Sequence, residues 1–140
     1  MIGQIGYEHH MADYTLTNLM EIEDQAPKFG LAPNLEARFA RTPLETDHLG
    51  VSYQRLAPDF RVPFGHKHGQ QEEIYVLLSG SARLKLDEKI VELKQWDVVR
   101  VAKDTMRNFE AGPEGAEILA VGGGKSGLDD AEMTQGWWAD

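Results

Sequence analysis

The chain has 140 residues, a formal net charge of -9 and no cysteine, which is the size of one domain with room for a hydrophobic core and rules out disulfide staples and cysteine-ligated zinc. Hydrophobic residues at 41% and charged residues at 26% are the balance of an ordinary globular protein rather than a disordered chain. The acidic balance leaves no basic face to neutralise phosphates, which argues against nucleic acid, and the longest apolar run, Ile74 to Leu78, is far short of a membrane span.

In chain order, Met1 to His10 is polar and patternless, and His9 and His10 directly before Met11 have the look of an expression-tag remnant, so they are set aside. The start lacks a basic and apolar leader and the chain lacks cysteine, so the expected compartment is the cytoplasm. Residues 1–48 read as an N-terminal extension and arm. Within it, Tyr14 to Phe39 holds short apolar pieces broken by Pro27, Gly30 and Pro33, which predicts an extended arm with a single helical turn.

From Gly50 the pattern changes to short runs alternating with period two, the mark of half-buried strands. Strands are expected near Gly50 to Leu56, Val62 to His68, Glu73 to Leu78, Ala82 to Leu86, Ile90 to Leu93, Asp97 to Val101, Met106 to Glu110 and Ala116 to Val121. Ser79-Gly80, Asp87-Glu88 and Gly112-Pro113 fall between them and read as hairpin turns. With no helical pattern between these strands, the fold class is all-β, a sandwich or closed barrel over residues 49–122, followed by a tail over 123–140.

Residues two apart on a strand share a face, so His66 and His68 project together, and Glu73 opens the next strand on a face shared with Tyr75 and Leu77. Two imidazoles and a carboxylate form a set that holds a divalent metal with coordination positions left open. A bare His-x-His is a weak signal, but here it comes in a longer pattern. His66, His68, four residues to Glu73 and six more to Gly80 resemble the first motif of the cupin superfamily, which reads Gly, five residues, His, one, His, three or four, Glu, six, Gly. The departure is Phe60, which stands at the first glycine.

The second cupin motif, Gly, five residues, Pro, one, Gly, two, His, three, Asn, falls in Val91 to Phe109 and just beyond and is worn. Aligned through Asp97 to Val101, its positions hold Trp96, Ala102, Asp104, Arg107 and Ala111. The resemblance, over roughly Leu49 to Gly122, implies a single cupin barrel, a double-stranded β-helix or jelly roll with an N-terminal arm. It also implies a small-molecule ligand, a homodimer and a metal bound by His66, His68 and Glu73. Arg107 stands where the family's fourth ligand belongs, and a guanidinium cannot ligate a metal. Pointing inward, Arg107 favours an anionic ligand; pointing outward, it pairs with a surface acid.

Tyr75, Tyr53, Phe64 and Met106 are the expected lining of the same cavity together with Arg107, and Trp96 is expected to cover barrel surface. Two other features read as structural. Gly122-Gly123-Gly124-Lys125-Ser126 lacks the glycine a phosphate loop needs, since Leu119 stands there. The tail with Asp129-Asp130 and Trp137-Trp138 reads as an aromatic clip. Three functions stay open: a metal-dependent enzyme, dioxygenase-like or related, holding one divalent ion (Fe, Mn, Ni or Zn); a metal-free binding or sensing protein for an anionic metabolite; and a metal-free isomerase with histidine as base.

Overall fold

In the computed structural model, which describes residues 13–124 and 130–140, the alternating segments pair into a single antiparallel sheet. Among the described residues it has eight strands: β1 (Leu35–Phe39), β2 (Leu49–Leu56), β3 (Phe64–His68), β4 (Glu72–Leu86), β5 (Lys89–Leu93), β6 (Val98–Val101), β7 (Arg107–Gly123) and β8 (Ala131–Gln135). Among the described residues the named helical elements are one turn, α1 (Arg41–Leu44), and two 3-10 turns, Leu19–Glu21 and Ala26–Phe29. None of these is long and apolar enough to cross a membrane. His9 and His10, read from the sequence as an expression-tag remnant, lie outside the described residues, as do Met11, Lys125, Ser126 and Asp129.

Two of the expected turns are not turns. Ser79-Gly80 lies inside β4 and Gly112-Pro113 inside β7, so four expected strands are two long ones. These pair with each other along their whole length, with register shifts between Leu77 and Ser79 and between Gly80 and Ala82. The reason is local: Gly80 has φ +78° and an added Cβ would stand 2.0 Å from the Gly115 carbonyl oxygen, so two backbones meet where only glycine fits. Such bulges bend a strand without ending it. Asp87-Glu88 is a true hairpin turn, closing Leu86 onto Lys89.

The bent β4–β7 pair organises the rest. Beside their Glu72 and Gly123 ends the order is β1-β2-β7-β4-β6. Beside their Leu86 and Arg107 ends it is β8-β3-β7-β4-β5. The two halves curl over a shared core: Tyr75 from the first half meets Phe109 from the second edge-to-face at 5.0 Å between ring centroids. Leu56, Leu77, Leu84, Val101 and Ile118 are buried with them. This is a jelly-roll barrel.

Both ends of the chain join the sheet. β1 falls in the segment expected to be an extended arm; Leu35, Ala37 and Phe39 alternate with Glu36 and Arg38, a strand pattern hidden behind Pro33. The preceding stretch is pinned to it by Gln25 N–H donating to the Ala37 carbonyl at 2.8 Å and Ala37 N–H donating to Asp24 at 2.9 Å. At the other end β8 pairs with β3 from Phe64↔Gln135 to His68↔Ala131. Trp138 is buried, with the Arg61 and Arg83 guanidinium carbons 4.3 and 5.2 Å from its ring centroid.

Candidate functional site

The site forms where β3, β4 and β7 meet. Alternation puts His66 and His68 on the inner face of β3, and β7 begins with Arg107 directly opposite His66 in the register. Glu73 and Tyr75 open β4 on the inner face. All converge on one atom, Glu73 Oε1, which lies 3.6 Å from His66 Nε2, 3.1 Å from His68 Nε2 and 3.8 Å from Arg107 Nη1. The Tyr75 hydroxyl donates to the same oxygen. The two imidazoles stand edge to face, 5.1 Å apart.

One ligand atom from each of His66, His68 and Glu73 falls within 4.8 Å of the other two, the group of metal-ligating side chains gathered among the described residues. Two of these side chains have polar atoms that are poorly satisfied. His68 Nε2 is buried and makes no hydrogen bond, its approach to Glu73 being close but not aligned, and Arg107 Nε and Nη1 are likewise unpaired. Arg107 is fully buried, and its Nη2 donates to the Ala102 carbonyl at 3.0 Å. The inward orientation is therefore the one adopted.

Neither the family models nor the curated proteins contain a match for the sequence. Solved structures do match. A cupin protein from Bacteroides fragilis is 25% identical, aligned over 85% of this chain and 91% of that one with a TM-score of 0.67. This chain folds as a cupin. Streptomyces PAC13, in a variant solved with uridine, superimposes at a TM-score of 0.70 with 12% identity, over 89% of this cupin and 93% of that chain. Oxalate decarboxylase from Bacillus subtilis gives 0.69 with 21% identity over 86% of this cupin, which spans about a third of that enzyme's length, 32%. At these last two identities the likeness carries the fold alone.

Charge in the cupin's interior is set by burial against contact. Burial acts to raise Glu73, but its contacts with His66, His68 and Tyr75 outweigh it and hold the carboxyl well below its ordinary range. Burial pushes the His66 imidazole below its ordinary value, more than the nearby Glu73 charge restores. Burial and the Glu73 charge together push the Tyr75 phenol far up, so it remains a hydrogen-bond donor.

Of the expected lining, Tyr75 and Arg107 face the site and Phe64 shares the inner face of β3 with His66. Tyr53 and Met106 do not. Tyr53 pairs with Leu119 where Tyr75 pairs with Ala120, one residue along β7, so the two tyrosines point to opposite faces. The Tyr53 hydroxyl donates to Glu117, which also accepts from Ser79, away from Glu73. Met106 lies behind β3: a Cβ on Gly65, which points opposite to His66, would stand 3.2 Å from Met106 Sδ and 2.7 Å from the Trp137 ring. Trp96, expected to cover the barrel, is 66% exposed and takes the left-handed backbone, φ +73°, that a glycine adopts without strain.

The residue that sequence reasoning missed is Asp130. Its carboxylate accepts from His68 Nδ1 at 3.1 Å, Gln70 N–H at 3.0 Å and Gln71 N–H at 3.1 Å. Its place in an acidic pair in the tail gave no sign of this, since the contact spans 62 positions of sequence.

Proposed function

We propose that this cupin is an enzyme acting on a small organic anion, with His66, His68 and Glu73 holding one divalent transition metal. The observation that carries this reading is His68 Nε2, a buried nitrogen without a hydrogen bond whose ring is held from behind by Asp130. A buried polar atom left unpaired costs about 1–3 kcal/mol, and a cation at that lone pair removes the cost. A carboxylate behind a ligating histidine is the usual support for such a ligand, and the donor set suits iron, manganese, nickel or zinc.

A bound ion would supply Lewis acidity toward a substrate oxygen. The chain's own residues do the rest. The Tyr75 hydroxyl fixes the Glu73 carboxylate in one orientation. Arg107, buried with two nitrogens that make no hydrogen bond, offers a fixed positive charge that selects for a carboxylate-bearing substrate. The His66 side chain is 25% exposed, the most open of the three donors, and marks the side from which a ligand arrives.

Arg107 also favours a second reading, in which the same residues form a metal-free anion-binding cluster. The decisive measurement is elemental analysis of protein purified without a metal-affinity step, followed by thermal shift with divalent metals and with small carboxylates. Under the metal reading, protein carries a transition metal, Glu73→Gln loses it, and Arg107→Ala, which removes a repelling charge, keeps it. Under the anion reading, metals leave the melting temperature unchanged, Glu73→Gln binds carboxylates as well or better, and Arg107→Ala binds them worse. A wild-type protein without metal and unresponsive to added metal rules the first reading out.

A further inference from the structure

We propose that Asp130 is the positioning residue of this site, delivered by the C-terminal segment to hold the His68 ring with its proton on Nδ1 and Nε2 turned toward the ligand position. The inference deepens the metal reading and rests on it for its consequence, though not for its geometry.

The geometry asks for a carboxylate. Asp130 Oδ1 accepts from Gln70 N–H, and Oδ2 accepts from both Gln71 N–H and His68 Nδ1. Three donors converge on two oxygens, and a carboxylate is acceptor on both. An amide in the same place has one acceptor oxygen, so in either orientation its NH2 confronts a donor. Facing His68, it donates to Nδ1 and moves the ring proton to Nε2, the atom that points at Glu73, and a protonated nitrogen cannot ligate. Facing Gln70, it opposes a backbone N–H in the short connection between β3 and β4.

That connection carries the second half of the argument. Gly69, Gln70 and Gln71 join the strand bearing both histidines to the strand bearing Glu73. Asp130 ties all three, through its side chain and through Gly69 N–H donating to the Asp130 carbonyl at 3.2 Å. A Cβ on Gly69 would lie 3.2 Å from Asp130 Oδ1, so glycine there permits the carboxylate's approach. The pairing of β8 with β3, His68 opposite Ala131, sets the register that brings Asp130 to the ring. One side chain thus orients His68 and sets its spacing from Glu73.

The test compares wild type with Asp130→Asn, Asp130→Ala and Gly69→Ala, all as metal-free full-length protein labelled with 15N at histidine. Proton-nitrogen spectra of wild type are expected to show His68 Nδ1 bearing a proton protected from exchange; this signal is lost in Asp130→Ala, and weakened in Asp130→Asn, whose amide accepts from Nδ1 in only one of its two orientations, and in Gly69→Ala. Calorimetric titration with Co2+ is expected to show a 10- to 100-fold weaker affinity in the Asp130 variants. Should those variants fail to fold, Gly69→Ala decides by the same two measurements, because a Cβ 3.2 Å from Asp130 Oδ1 presses on the carboxylate without removing it. An unchanged Nδ1 proton in Asp130→Ala, or an unchanged Co2+ affinity in a variant that has lost that proton, overturns the proposal. Wild type that takes up no Co2+ yet loses the proton in the variants sinks the metal reading and leaves Asp130 as the group that positions His68.

Discussion

At the scale of single residues, the site stores a dependence on acid. Burial lowers the His66 imidazole, so between its unfolded value of about 6.5 and its own lower one the unfolded chain takes up a proton that the folded chain refuses. Glu73 is likewise lowered, and below about 4.3 only the unfolded chain gains its proton. In both cases the unfolded state binds more protons, so stability falls as pH falls. Urea midpoints are expected to be level above pH 7, to decline below about 6.5 and to decline further below about 4.3. His66→Gln should flatten the first step. A wild-type midpoint constant between pH 7 and 5 contradicts the burial of a neutral His66. Metal uptake should hold through that first interval, where His66 of the folded chain stays neutral, and weaken only below its lowered value, because a ligating histidine must be neutral.

At the scale of elements, the bend in β4 and β7 and the C-terminal clip carry the predictions. Gly80→Ala meets the Gly115 carbonyl and strains a left-handed backbone, so it should cost about 3 kcal/mol in urea denaturation; a loss below roughly 1 kcal/mol means the two strands are not so closely crossed. Trp138 packs against Arg61 and Arg83, which share Glu110 at 2.9 and 2.6 Å. Trp138→Ala should therefore cost roughly 3 kcal/mol. It should also lower the affinity for the site's ligand, because the segment that carries Trp138 also carries β8 and Asp130. A variant with normal stability and normal binding shows that the clip is ornamental.

At the scale of the whole molecule, the arm lies against β1 of its own chain, so the surface open to a partner lies elsewhere, on the outer face of the first half-sheet. Leu49, Ile74 and Val98 are exposed there, and Trp96 is exposed in the turn before β6, an apolar grouping of the kind that marks an interaction surface. A homodimer through this face is the expected assembly. Light scattering should give about twice the chain mass of 15.7 kDa, and Val98→Lys should halve it. A mass of one chain for the wild type removes the dimer.

What the sequence determined by itself is what its short-range periodicity encodes. Alternation of period two placed β2, β3, β5 and β6 within a residue or two, apart from the first two residues expected of β3. The same alternation put His66 beside His68 and Glu73 beside Tyr75, because residues two apart on a strand share a face whatever the rest of the chain does. The tertiary structure alone decided which face that was and what else reached it. Tyr53 alternates as well as Tyr75 does, yet their pairing partners on β7 differ by one residue, and one residue of register sends a side chain to the opposite side. Ser79-Gly80 and Gly112-Pro113 carry turn chemistry that becomes a bend only when each strand has the other to lie against. Arg107 turned inward because β7 begins opposite His66, and Asp130 arrived across 62 positions because β8 pairs with β3. Strand pairing acts between distant segments, and no local pattern records it.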